Sequence, residues 1–265
     1  MKVRKIQDIV LIGAGNLATH LGMALYRNKF NVVQVYNRSP LKGRKLAAKV
    51  GAEFIADIRT ITLNADIYIL AVTDTVIGEI AMKLTLKDQL VVHTAGTIDM
   101  NVLAEASENI GVFYPVQTFS GRRKVDFKRV PLCLEANSKY SESQLTDFAN
   151  IISRNVRLVD STNRKIIHLS AVFASNFTNF MNVIAEDLLN DHEISFKLLK
   201  PLIKRTFQNI KSDNLFRYQT GPAFRGDGQV LQKHRELLSA HPEYLELYNL
   251  ISNNIIKYKV LHDKL

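Results

Sequence analysis

The chain has 265 residues, 46% of them hydrophobic, a single cysteine and a formal net charge of +10. That length exceeds one ordinary domain and suffices for two with real cores. One cysteine excludes an internal disulfide framework, and no stretch approaches the ~20 apolar residues of a membrane helix, so a cytoplasmic protein with no membrane partner is expected.

The charge is no argument for nucleic acid, because it is spread. Residues 1–160 carry 21 basic against 15 acidic groups (+6), and residues 161–265 carry 14 against 10 (+4). Only Arg122, Arg123 and Lys124 with Lys128 and Arg129 form a cluster. It lacks the interleaved aromatics of a base-stacking surface and reads as a solvated loop. Cys133 lies in an apolar run and packs as a small hydrophobe. The basic residues at 1–5 lead into a strand and not into a secretion signal, since the apolar run behind them is short and broken by glycines.

The first element is an apolar strand, Ile9, Val10, Leu11, Ile12, that runs into Gly13-Ala14-Gly15-Asn16-Leu17-Ala18, a GxGxxA turn opening a helix. Gly13 permits the tight turn, Gly15 lets the backbone approach a pyrophosphate, and Ala18 keeps helix and strand close. The free N–H groups and positive end of the helix then face phosphate. A second strand over 31–36 ends in Asn37-Arg38-Ser39, with no acid to accept the ribose 2′-OH of NAD. Arg38 and Ser39 suit a 2′-phosphate, and Lys42 and Arg44 add positive potential, so the expected cofactor is NADP.

Downstream, strands are expected at 53–55, 66–72, 90–93, 111–114, 130–135 and 156–159, with helices at 41–50, 77–84 and 141–152. This alternation predicts an α/β fold, a doubly wound Rossmann-type sheet over residues 1–160. Ligands on such sheets bind outside the carboxyl ends of the strands. Val72 and Thr73 after one strand, and Thr94, Ala95 and Gly96 after the next, are therefore expected beside the nicotinamide.

Beyond Asp160 the pattern becomes all-helical: a domain over 161–265, with helices at 164–190, 194–210, 228–239 and 243–261. In the first, Phe173, Phe177, Phe180, Met181, Ile184 and Leu188 share one face, a core stripe at 100° per residue. His168, Ser175, Asn179, Asn182 and Glu186 lie opposite, with Asn176 to one side. An uncharged polar face of this kind suits a cleft or a subunit contact. A loop of three glycines and a proline, residues 219–228, holds out Arg225 and Asp227. Arg225 can pair bidentately with an anionic substrate, and Asp227 reads as the N-cap of the next helix.

These segments resemble a family of Rossmann-like proteins whose helical half is a domain of unknown function. That family is related to pyrroline-5-carboxylate reductase and deazaflavin-dependent NADP reductases, with a 6-phosphogluconate dehydrogenase-like C-terminal half. The resemblance rests on the GxGxxA turn, His93-Thr94-Ala95-Gly96, Tyr114-Pro115-Val116-Gln117-Thr118-Phe119, Phe173-Ala174-Ser175-Asn176, and Thr220-Gly221-Pro222 with Arg225-Gly226-Asp227 and His234. The family's His-Pro is Tyr114-Pro115 here. The resemblance implies an NADP-binding domain, a helical domain forming a homodimer, and oxidoreductase activity on a small molecule. A hydride transfer to a small anionic carbonyl or imine needs a proton donor. His168 is the candidate, with Asn176 orienting the reacting group and Arg225 holding the anionic end. A non-catalytic NADP-binding regulator would use the same cofactor loops without the proton donor.

Overall fold

The computed structural model describes residues 5–121, 124–208 and 214–262. Residues 1–4 of the basic N-terminus, Arg122 and Arg123 of the basic cluster, and the end of the helix expected at 194–210 lie outside them. The first elements are β1 (Asp8–Ile12), α1 (Asn16–Arg27), β2 (Asn31–Tyr36), α2 (Pro40–Val50) and β3 (Glu53–Ile55). They continue with β4 (Ile67–Leu70), α3 (Ile77–Ala81), β5 (Leu90–His93), β6 (Asn109–Pro115), β7 (Leu132–Ala136), α4 (Lys139–Ile152) and β8 (Val156–Leu158).

One eight-stranded sheet in the order β3-β2-β1-β4-β5-β6-β7-β8 results. Successive residues of β1 feed opposite faces, as a period of two requires. Ile9 and Leu11 pack with Leu21, Leu25, Leu46 and Phe148; Val10 and Ile12 pack with Ile77, Ile80 and Leu103. Burial on both faces is why these strands read as continuous apolar runs. The order reverses between β1 and β4, and that switch point opens the crevice where such sheets bind ligands. All neighbours are parallel except β6 and β7, which pair antiparallel from Gly111 opposite Ala136 to Pro115 opposite Leu132. The connection 116–131 therefore leaves and returns at the carboxyl edge of β5 and β6.

The chain divides into two compact units, Met1–Phe177 and Thr178–Leu265. The first ends with α5 (Ser161–Ala171) and a π-helical stretch Val172–Phe177. Asp160 caps α5, its carboxylate accepting the Asn163 N–H at 2.8 Å. The second unit holds α6 (Thr178–Asn190), α7 (Lys200–Gln208), α8 (Pro222–Arg225), α9 (Gly228–Leu237) and α10 (Pro242–His262).

Two expectations about the long helix need correction. The π stretch interrupts it, so the 100° projection cannot be carried from 164 to 190. The stripe read as core is also not core: Phe173 is 62% exposed, Phe177 47% and Phe180 49%. The apolar pattern is real, but these three rings stay about half exposed or more.

Candidate functional site

The glycine turn forms as its residue types dictate. Gly13 has φ +117, and a Cβ there would stand 2.2 Å from the Ala71 carbonyl oxygen of the neighbouring strand end. A Cβ on Gly15 would meet nothing within 4 Å, so that side of the turn is open to a ligand. The first turn of α1 has no side-chain cap and no acidic residue, which leaves its N–H groups and positive end for an anion. Asn37 ties this turn to the end of β2: its Oδ1 accepts the Ala14 N–H at 3.0 Å, and its Nδ2 donates to the Ser39 carbonyl at 2.8 Å.

A cleft of about 520 Å³ opens over this turn, within the range of ligand sites. The sequence-predicted cofactor residues Gly13, Gly15, Asn16, Leu17, Asn37, Arg38, Ser39, Val72 and Thr73 all line it. Arg38 and Ser39 are exposed at its rim with Lys42 alongside. These residues fit a dinucleotide carrying an extra phosphate: open glycine backbone, an uncapped helix start and a guanidinium where an NAD site places an acid. Tyr36 and Ile80 also line the cleft. Sequence reading passed over them, because a tyrosine ending a strand and an isoleucine on an amphipathic helix look like ordinary packing.

Thr94, Ala95 and Gly96 are buried and lie outside that lining. The Thr94 hydroxyl donates to the Leu70 carbonyl at 3.3 Å, and the Ala95 N–H donates to His93 Nδ1 at 3.2 Å. Thr97 Oγ1 donates to Asp74 Oδ2 at 2.5 Å, joining the loops that follow β4 and β5. His93 itself is fully buried; burial first, and the nearby Arg164 charge second, push its pKa from 6.5 down to about 4.

His168 on α5 reaches this loop. A Cβ on residue 96 would stand 2.5 Å from its Nδ1, so only glycine leaves room for the ring. Its Nδ1 lies 3.0 Å from the Tyr114 hydroxyl at the end of β6. Burial raises the Tyr114 pKa above its usual 10. One turn before His168, Arg164 is fully buried. It pairs with Glu135 of β7 and donates to the Ile98 carbonyl, and to Ser161 Oγ at 3.0 Å. Glu135 also accepts from the Ser161 N–H at 3.0 Å and its hydroxyl at 2.8 Å. Sequence reading missed this pair; a glutamate inside the apolar run of β7 was its one visible trace.

Asn176 stands exposed in the π stretch. Arg225 belongs to the second unit, exposed at the end of α8 between Gly221 at φ +107 and Gly226 at φ +73. Asp227 caps α9, accepting the Val230 N–H at 3.2 Å. His234 Nδ1 lies 2.8 Å from the Tyr248 hydroxyl, joining α9 to α10. Among the described residues there is no cluster of His, Cys, Asp and Glu that could hold a metal ion. None of the described helices is long and apolar enough to cross a membrane.

Residues 8–96 match the family model of NADP oxidoreductase, coenzyme F420-dependent, and residues 130–255 match the Domain of unknown function (DUF2520). A search of curated protein sequences finds no match. Among solved structures, a "putative NADP oxidoreductase" from Bacteroides fragilis is 41% identical, with a TM-score of 0.89, and the match covers 95% of this chain and 98% of that one. Two more distant structures share the fold. An imine reductase from Myxococcus stipitatus, in complex with NADP+, is 16% identical at a TM-score of 0.61, over 97% of this chain and 94% of that one. A pyrroline-5-carboxylate reductase from Coxiella burnetii is 20% identical at a TM-score of 0.57, over 96% and 98%. A Rossmann-type cleft that fits NADP, followed by the helical half matched by DUF2520, places this chain in the NADP oxidoreductase family of the Bacteroides fragilis protein.

Proposed function

We propose that the protein transfers a hydride between NADP(H) and a small anionic carbonyl or imine compound. The observation that carries this reading is the lodging of His168, a proton-bearing group, against Gly96 at the carboxyl end of β5, on the edge of the sheet that bears the cofactor cleft. The glycine turn and the start of α1 would hold the pyrophosphate, Arg38 and Ser39 the 2′-phosphate, and Val72, Thr73 and the 94–96 loop the nicotinamide end. NADPH, when bound, supplies the hydride. His168 would give a proton to the carbonyl oxygen or imine nitrogen, Asn176 would orient that group, and Arg225 would hold the anionic end.

The protein works as a homodimer in this reading. Support comes from the second unit, whose buried hydrophobic side chains among the described residues are Ala223, Leu231 and Leu238 alone. Leu198, Leu202, Phe207 and Leu250 are all exposed on it.

Calorimetric titration with NADPH and NADH, on the native chain and on Arg38→Asp, tests the cofactor assignment. One charge-assisted hydrogen bond contributes roughly 1.5–3 kcal/mol, so about a ten- to hundredfold preference for NADPH is expected, lost in the variant. Failure to bind either nucleotide overturns the reading. With binding established, a panel of carbonyl and imine acids identifies the substrate class, and His168→Ala should abolish turnover on it.

A further inference from the structure

The fold gathers charge that the sequence scatters. No Asp or Glu occurs from residue 9 to residue 52, and the same stretch carries seven Lys and Arg, among them Arg27, Lys42, Lys45 and Lys49. Two cavities of about 470 and 460 Å³ lie along α1. They share Asn16, Thr19, Lys49 and Gly121, and so form one groove. Lys42, Lys45 and Lys49 of α2 line it, with Arg27 of α1 and Lys124 of the connection 116–131. We propose that this groove binds a compound bearing a chain of phosphates, distinct from the cofactor.

The groove is electrostatically one-sided. Its five cations are exposed, and no Asp or Glu lines either cavity. None of the five forms an ion pair among the described residues. Lys45 and Lys49 stand four residues apart on one helix face, where like charges repel. An anion seated among them relieves that repulsion.

Size and chemistry narrow the ligand. Lys42 and Lys49 are about 10 Å apart along α2, and Asn16 and Arg27 about 16 Å apart along α1, from the rise of an α-helix. One phosphate cannot span either distance, whereas a chain of them can. Lysine acts toward phosphate as a point charge and asks for no planar partner. No Phe, Tyr or Trp lines the groove among the described residues, so it offers no ring on which a nucleobase could stack. The function proposed above leaves Lys45, Lys49, Arg27 and Lys124 unused, since the cofactor's phosphates go to the glycine turn and to Arg38 and Ser39. Gly15, Asn16 and Lys42 line both the groove and the cofactor cleft. The two ligands therefore lie side by side with like charge, and each lowers the affinity of the other by the same factor.

Calorimetric titration of inorganic tripolyphosphate into the NADPH-loaded full chain, at fixed ionic strength, tests the proposal. Loading fills the cleft, so the heat reports the groove. Affinity should fall about tenfold or more in Lys45→Glu with Lys49→Glu, the loss expected when two exposed charge pairs are removed and reversed. Lys5→Glu with Lys87→Glu, at the amino edge of the sheet, should leave it nearly unchanged, because salt screens charges at that distance. Inorganic phosphate should bind more weakly than tripolyphosphate, and tripolyphosphate should weaken NADPH. The native titration needs no variant, and Lys45→Gln with Lys49→Gln repeats the comparison without reversed charge. No binding to the loaded chain, equal losses in the two Glu pairs, or NADPH affinity untouched by tripolyphosphate overturns the proposal. So does an NADPH affinity that falls in Lys45→Glu with Lys49→Glu as far as that of tripolyphosphate, which would make the groove an arm of the cofactor site. A chain that binds tripolyphosphate but no NADPH removes the proposed function, and the same variants then read the groove in the free chain.

Discussion

At the scale of single residues, His93 shows how a motif histidine serves structure rather than proton transfer. It lies on a central strand, fully buried, with Nδ1 occupied by the Ala95 N–H. Its pKa is about 4 in the fold, against 6.5 for a solvated imidazole. The unfolded chain thus takes up a proton at higher pH than the folded one, and stability falls as pH drops below 6.5. Between pH 7 and pH 5 this one group should cost about 2 kcal/mol, from a shift at 1.36 kcal/mol per pKa unit. Urea unfolding at the two pH values, native against His93→Gln, checks it: the variant should lose the smaller part of its stability on acidification. The paired residues 114 and 168 were not legible together in the sequence, because 54 positions separate them and no local spacing links a strand end to a distant helix.

At the scale of elements, the strands were legible because burial on both faces writes continuous apolar runs. β2, β3 and β5 fall on the residues expected. The direction of β7 was not legible, since an apolar run carries no sign of strand polarity. The π stretch was equally silent, for it needs no particular residue. What orients α5 is the Arg164–Glu135 pair, and that too was hidden by sequence distance. Removing one partner of a buried ion pair typically costs about 3–5 kcal/mol, because the other charge is left uncompensated. Arg164→Met should lose stability of that order in denaturant unfolding. Arg164→Met with Glu135→Gln should regain a good part of it, since the amide keeps an oxygen for the Ser161 N–H and leaves no stranded charge. Equal losses in the single and double variants would show that the helix is held by packing alone.

At the scale of the molecule, the two units differ in how they satisfy the hydrophobic effect. The first surrounds a sheet with two continuous cores. The second leaves Leu198 71% and Leu202 62% exposed, and its helices bury little of their own apolar surface. Patches of this kind on a folded chain mark contact surfaces. Sedimentation velocity should therefore give a dimer at micromolar concentration. Leu202→Glu with Leu250→Glu should shift it to monomer and lower the unfolding midpoint, while NADPH affinity is retained. A native chain that sediments as a stable monomer would remove the homodimer from the proposed function. The destination of the aromatic face of the long helix was not legible in the sequence, because core and interface use the same residues.

The antiparallel pairing of β6 and β7 has a consequence for how such a protein diversifies. Its connecting segment starts and finishes at one edge of the sheet, and the Phe119 carbonyl in it is held by Asn16 of the glycine turn at 3.2 Å. The β6–β7 pairing register does not itself fix the length of this segment. Variation in length is thus tolerated in the exposed stretch 117–121, ahead of Phe127 and Val130, whose burial in the main core anchors the return to β7.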